Sequence, residues 1–288
     1  CSRLFKEAAR AIAPEIEDRG IDEIYVDLTA LVSVGGDGRS RAHEIARSIQ
    51  SAVRDATALS CSVGVAPNKL LAKIASELDK PGGITVLAED DIPSRVWPLP
   101  VRRITGIGPK AAARLESLGI RTIGELAQAD PALLVERFGE RHGAWMHEAA
   151  RGRDERPVVT HSEPKSISRE TTFERDLHAT RDRDTLSRIF TELCIDLADD
   201  LQRSGYVGKT IGLKLRYSDF KTVTRDLTIA LPTQAPTVIR RAAGECLKRA
   251  PLDRRIRLLG VRIGGLTPAE DAGAAAPAAV EPTASLFE

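Results

Sequence analysis

The stretch from Ile104 to Leu126 constrains the fold of this 288-residue chain more than any other. It reads Ile104-Thr105-Gly106-Ile107-Gly108-Pro109-Lys110, runs through an alanine- and leucine-bearing segment to Leu118, and continues Gly119-Ile120-Arg121-Thr122-Ile123-Gly124-Glu125-Leu126. Pro109 suits the first turn of a helix, where its missing N–H is not needed. Gly119 can cap the end of that helix. Thr122, with Glu125 three residues on, forms a capping box that starts the next helix. The Gly106-Ile107-Gly108 turn therefore opens a helix with bare backbone N–H groups, where the helix dipole is positive and a phosphate is well received.

Around this segment the chain alternates helix and strand patterns. Residues 2–18 carry Leu4, Ala8, Ile12 and Ile16 at a spacing of four, which predicts an amphipathic helix ending before Gly20. Residues 21–29 are rich in strand formers. A turn over 34–40 leads to a helix over 41–55, an apolar strand over 59–65, a helix over 67–79 and a strand over 84–87. Residues 98–160 read as short helices punctuated by glycine, and 157–164 as a polar linker. Strands are expected at 165–173, 209–217, 221–231 and 255–264, with helices near 183–203 and 237–249. The Ala/Pro/Glu-rich remainder is expected to be disordered.

Composition narrows the function classes. No apolar run is long enough to span a bilayer, and the start shows no secretory signal pattern. Cys1, Cys61, Cys194 and Cys246 are scattered, which suits free thiols in a reducing, cytoplasmic setting. His142 and His147 lie five apart, on different faces of a helix, so they lack metal-site spacing. The net charge is +1, yet residues 165–262 hold 20 Lys and Arg against 13 Asp and Glu, a local excess of +7. A basic segment on a nearly neutral chain suits a polyanion, although solvated basic faces are common.

Two further constellations carry chemistry. Asp22-Glu23 is a carboxylate pair of the kind that holds a hard divalent cation. Neighbouring side chains on a regular strand face opposite ways, so both reach one ion only at a turn or strand end. Asp27 shares Glu23's face as a possible extra ligand, and a polar strand edge is the plain alternative. Ala66-Pro67-Asn68-Lys69-Leu70-Leu71-Ala72-Lys73-Ile74-Ala75-Ser76 sets Lys69 and Lys73 four apart on a helix, ahead of a Lys80-Pro81-Gly82-Gly83 turn. Lys80 can offer a point charge to a polyphosphate. A solvated helix face is the plain reading of this stretch.

The Gly106–Leu126 segment resembles a helix-hairpin-helix. Together with the Asp22-Glu23 pair, the segment from Ser62 to Ser76 and the Lys80 turn, it follows the order seen in Y-family translesion DNA polymerases. Lys165 to Phe173, Leu213 to Phe220 and Arg257 to Val261 look like strands of that family's little-finger domain. The resemblance implies an α+β multidomain chain. Its parts would be a partial palm of sheet and helices (1–97), a helical thumb with the helix-hairpin-helix (98–162), an α/β little finger (163–267) and a disordered tail (268–288). It implies templated nucleotidyl transfer with two Mg²⁺ ions, primer-template DNA and deoxynucleoside triphosphates as partners, and a monomer. Asp22 matches a metal ligand and Glu23 the catalytic carboxylate beside the metal. Lys80 matches the triphosphate lysine, Gly106, Gly108 and Lys110 the thumb's DNA contacts, and Lys165 and Arg169 the start of the template-facing strand.

There are departures from the family pattern. Gly20 stands where the family usually has serine. The family's opening strand, with another metal-binding aspartate and an aromatic gate, and its fingers domain have no counterpart here. The only methionine is Met146, and the first residue is Cys1. The chain therefore reads as N-terminally truncated, expected to bind DNA but to extend primers poorly. The alternative is a non-catalytic, damaged-DNA-binding accessory. Thr283-Ala284-Ser285-Leu286-Phe287 resembles a sliding-clamp-binding peptide, with Leu286 and Phe287 as its apolar anchors.

Overall fold

The computed structural model describes residues 1–33 and 37–272. The chain forms two compact units, one over Cys1–Ser162 and one beginning at Glu163. The fold is a mixture of α and β elements, and none of the described helices is long and apolar enough to cross a membrane. Residues 273–288, including the expected clamp anchors Leu286 and Phe287, lie outside the described residues.

The first unit opens with helix α1 (Ser2–Arg10), followed by strands β1 (Ile16–Asp18) and β2 (Ile24–Val26). The single helix expected over 2–18 is thus corrected to a helix and a strand. Pro14 has no N–H to continue the helical ladder and disfavours the helical region at Ala13. Ile16 then pairs with Val26 in an antiparallel hairpin and joins the core through the strand. The strand expected over 21–29 shortens for a related reason: residues 20–22 are bent into the hairpin turn, and residues from Thr29 form the short helix α2 (Thr29–Val32). Helix α3 (Gly38–Thr57) starts earlier than expected because the Asp37 side chain caps the N–H groups of Arg39 and Ser40.

Strand β3 (Val63–Val65), helix α4 (Lys69–Leu78) and strand β4 (Ile84–Val86) form a β-α-β unit whose strands run parallel. Asn68 caps α4 by accepting from the Leu71 N–H. Four short helices follow: α5 (Pro109–Ser117), α6 (Ile123–Gln128), α7 (Pro131–Phe138) and α8 (Glu140–Ala150). One apolar core joins Leu71 and Ile74 of α4 to Leu115, Ile123, Leu126 and Met146, so packing continues across position 97. A smaller core gathers α1, the hairpin and α3 around Ala9, Ile16, Ile45 and Ile49.

The second unit is an antiparallel four-stranded sheet of β5 (Ser166–Leu177), β6 (Tyr206–Tyr217), β7 (Thr222–Thr233) and β8 (Ile256–Pro268), in the order β5-β8-β6-β7. Helices α9 (Arg183–Ser204) and α10 (Pro236–Lys248) pack on it. Phe190, Leu197 and Leu201 of α9 and Ile239 and Ala243 of α10 share a core with Ile211, Leu213, Leu215, Leu259, Val261 and Ile263 of the sheet. Strand residues alternate between faces, so Gly212, Lys214, Gly260 and Arg262 look the other way.

Candidate active site

The Asp22-Glu23 pair sits in the turn of the β1–β2 hairpin, where neighbouring carboxylates need not face opposite sides. The Arg19 N–H donates to the Glu23 carbonyl at 3.1 Å and closes the turn. Gly20 has φ 127°, a backbone conformation that glycine adopts without strain, which accounts for a glycine at this position. Lys6 of α1 fastens the turn: its Nζ donates to both Asp18 carboxylate oxygens at 2.8 and 2.7 Å and to the Gly20 carbonyl at 2.6 Å. Asp22 is exposed and has no hydrogen-bonding or ion-pair partner among the described residues. Asp27 is turned to another task, since its carboxylate accepts from the Thr29 N–H at 2.8 Å at the start of α2.

Helix α4 supplies the other half of the site. Lys69, Lys73 and Glu77 recur every four residues and so share one face. They are not a solvated stripe. Lys69 Nζ donates to Glu17 Oε2 of β1 at 2.6 Å, and these two side chains are 12% and 9% exposed. Lys73 Nζ donates to Glu23 Oε2 at 2.8 Å and stands 3.7 Å from Glu77. Glu77 pairs with Lys80 at 2.5 Å and lies 4.0 Å from Arg103, just ahead of the glycine turn. The Lys80 contact, assisted by Lys73 and Arg103 and opposed by burial, lowers the Glu77 carboxyl below its ordinary range. Burial pushes the Lys73 ammonium down, but the Glu23 hydrogen bond and the surrounding carboxylates raise it on balance. Glu23, Lys73, Glu77, Lys80 and Arg103 thus form one unbroken series of ion pairs. Glu77 and Arg103 carried no role in the sequence reading, and Lys73 was read there only as part of a helix face with Lys69, although the continuation of the four-residue spacing to Glu77 was there to read.

At the glycine turn, Gly106 has φ 113°, and a Cβ there would stand 2.5 Å from Cη2 of Trp145. Glycine is required both by backbone conformation and by space. Gly108 caps α5 at its N-terminus and Pro109 follows at the first helical position, as the sequence indicates. Gly106, Gly108 and Lys110 are exposed, and Lys110 has no ion-pair partner among the described residues. The capping box is present: Thr122 Oγ1 accepts from the Glu125 N–H at 3.2 Å, and Glu125 Oε2 accepts from the Thr122 N–H at 2.9 Å.

In the second unit, Lys165 is exposed and has no ion-pair partner among the described residues. Arg169 pairs in register with Val261, whose side chain is in the core, and so belongs to the helix-covered face. There its guanidinium forms a two-pronged pair with Asp200 of α9, holding that carboxyl down at about 2. The open face offers other cations. Lys214 reaches Glu170 at 2.7 Å across Gly260, and Arg262 reaches Asp226 at 2.8 Å across Gly212. The two glycines keep the floor low, leaving a shallow groove of about 290 Å³ lined by these residues.

The donor set around Asp22 suits a divalent cation in part. One carboxylate is unpartnered, and the second leaves Oε1 without a hydrogen bond, so hard oxygen ligands are available while water and phosphate oxygens complete the shell. Among the described residues, no group of three His, Cys, Asp or Glu side chains converges to hold a metal by itself.

The chain is 41% identical over 254 residues to DNA polymerase IV of Methanoculleus marisnigri, covering 88% of this chain and 68% of that protein. The chain belongs to the Y family of DNA polymerases. DNA polymerase IV of Caulobacter vibrioides is 38% identical over 95% of this chain and 66% of its own length, and that of Alkalilimnicola ehrlichii 39% identical over 91% and 71%. The chain thus spans roughly two thirds of the length of these relatives. Family models match in three segments: the impB/mucB/samB family over residues 1–77, the "DNApol eta/Rev1, HhH motif" over 99–153, and the impB/mucB/samB family C-terminal domain over 164–275. A solved Y-family DNA polymerase chimera matches the fold with a TM-score of 0.78 at 24% identity, over 91% of this chain and 74% of its own.

Proposed function

We propose that this Y-family chain carries the catalytic turn of a translesion DNA polymerase, joining a deoxynucleoside triphosphate to a primer on template DNA. What supports this most is the series of ion pairs from Glu23 through Lys73 and Glu77 to Lys80 and Arg103, which links the carboxylate turn, the lysine turn and the start of the glycine hairpin. Asp22 and Glu23 would hold Mg²⁺. When bound, two such ions supply the Lewis acidity that activates the primer 3′-hydroxyl and neutralises the leaving pyrophosphate. Lys80, about half exposed, can leave Glu77 for the incoming triphosphate. The Gly106–Gly108 turn and Lys110 bind DNA phosphates without reading sequence, and Lys165 with the open-face Lys214 and Arg262 adds a second phosphate-binding surface. Leu286 and Phe287 would dock on a sliding clamp. We assign the chain to a cytoplasmic, monomeric setting and divide it into palm (1–97), thumb (98–162), little finger (163–267) and tail (268–288).

A second reading, DNA binding without catalysis by the chain as it stands, is favoured by the lack of a three-ligand cluster among the described residues. Primer extension with Mg²⁺ separates the two. Extension that disappears in Asp22→Asn and Glu23→Gln while DNA affinity persists supports the polymerase. Undiminished extension by Glu23→Ala refutes it. DNA binding with no extension supports the second reading.

A further inference from the structure

The β1–β2 hairpin has only three residues per strand, and a two-stranded ribbon of that size is marginal alone. Its turn is closed through backbone atoms and Lys6, and none of those contacts fixes the Glu23 side chain. Glu23 has a longer and more mobile arm than Asp22, so its carboxylate needs a brace to occupy one place. The only polar contact that carboxylate makes among the described residues is the 2.8 Å hydrogen bond from Lys73 Nζ to Oε2.

Resting on the polymerase reading above, we propose that Lys73 is a positioning residue for the reaction. It takes Oε2 of Glu23 and presents Oε1 toward the reacting centre. The geometry suits this task better than phosphate binding. Lys73 is 27% exposed, projects from a helix whose Leu70, Leu71 and Ile74 are buried, and is steadied by Glu77 one turn on. Lys80, at 52% exposed and in a turn, is the freer cation for a ligand. Lys69 repeats the arrangement one turn earlier by holding Glu17 of β1, so the same helix face braces both halves of the hairpin.

The test compares Lys73→Met and Lys73→Arg with the unaltered protein in single-turnover primer extension at saturating nucleotide. Mn²⁺ binding to the DNA-bound chain is measured by electron paramagnetic resonance, alongside thermal melting. Removing a residue that orients a metal-binding carboxylate typically costs about 10- to 100-fold. Lys73→Met is expected to lose extension by that factor at an unchanged melting temperature. Its Mn²⁺ affinity should be equal or tighter, because a positive charge has left the neighbourhood. Lys73→Arg should recover most of the rate. A purely structural lysine would instead lower rate, Mn²⁺ affinity and melting temperature together, and that result overturns the proposal, as does an unchanged rate in Lys73→Met. Glu23→Gln, run in parallel, keeps the two readings apart. If it loses activity while Lys73→Met does not, only the role of Lys73 falls. If Glu23→Gln remains fully active, the polymerase assignment of this turn falls, and Lys73 with it.

Discussion

Replacing Lys69 by methionine should destabilise the first unit by about 2 kcal/mol at neutral pH. Glu17 is among the few buried charged residues described, and its carboxylate accepts from Lys69 at 2.6 Å and from the Val159 N–H at 3.0 Å. Removing one partner of a buried pair costs about 3–5 kcal/mol, because a charge is left behind without compensation. Here the Val159 N–H and Arg19, 3.4 Å from Oε1, remain to soften the loss, which brings the figure toward ~2 kcal/mol. Both tryptophans, Trp97 and Trp145, belong to the first unit, so urea unfolding followed by tryptophan fluorescence reports on that unit selectively. At a slope of about 2–3 kcal/mol per molar urea, the midpoint should fall by a little under ~1 M. Burial works to raise the Glu17 carboxyl, but the Lys69 hydrogen bond, the Val159 N–H and the nearby positive charges outweigh it and lower it below 4.5. A carboxyl lowered in the folded state contributes stability above its unfolded value and loses it as pH falls through the folded value. The gap between variant and parent should therefore be full at pH 7 and close in acid below the ordinary glutamate range. A midpoint within experimental error of the parent at pH 7, or a deficit unchanged in strong acid, would refute the reasoning.

Three other outcomes are expected. Gly106→Ala forces an L-residue into φ 113° and a methyl group against Trp145, a strain of about 1–3 kcal/mol; DNA affinity should fall and tryptophan fluorescence should shift, and an unchanged affinity contradicts a role for this turn. Asp200 is held at about 2, chiefly by Arg169, so the second unit should lose stability as pH drops from 3.8 toward that value; Asp200→Asn should flatten this acid limb in circular dichroism, and an identical limb would contradict the pairing. Replacing Lys214 and Arg262 together by alanine should weaken DNA binding evenly across sequences and reduce the salt slope by about 2, which titrations at several salt concentrations would detect; an unchanged slope removes the open face from the DNA contacts.

Local signals were legible and distant ones were not. The glycine turn, Pro109 and the Thr122–Glu125 capping box depend on neighbours within a few residues, and each is found where the sequence indicates. The misread helix over 2–18 arose because Ile12 and Ile16 keep helical spacing, while Pro14 between them redirects the backbone. The stripe of Lys69, Lys73 and Glu77 was visible, but its partners Glu17 and Glu23 are some 50 residues away, and periodicity on one helix says nothing about what docks against it. Arg169 illustrates the same limit in a sheet. Alternation indicates that it and Glu170 face opposite sides, but only the docking of α9 decides which side is covered. Lys214 and Arg262 were hidden for that reason, because their strands meet through the non-sequential order β5-β8-β6-β7.

The most direct measurement is Fe²⁺-directed backbone cleavage of the DNA-bound chain, in which radicals released from a bound ion cut the polypeptide nearby. Cuts clustered at residues 19–24, with a second set near Glu77 and Lys80, are expected, and both should disappear in a variant combining Asp22→Asn and Glu23→Gln. Cuts confined to other parts of the chain, or a pattern indifferent to those two substitutions, would mean that the carboxylate turn does not hold the metal.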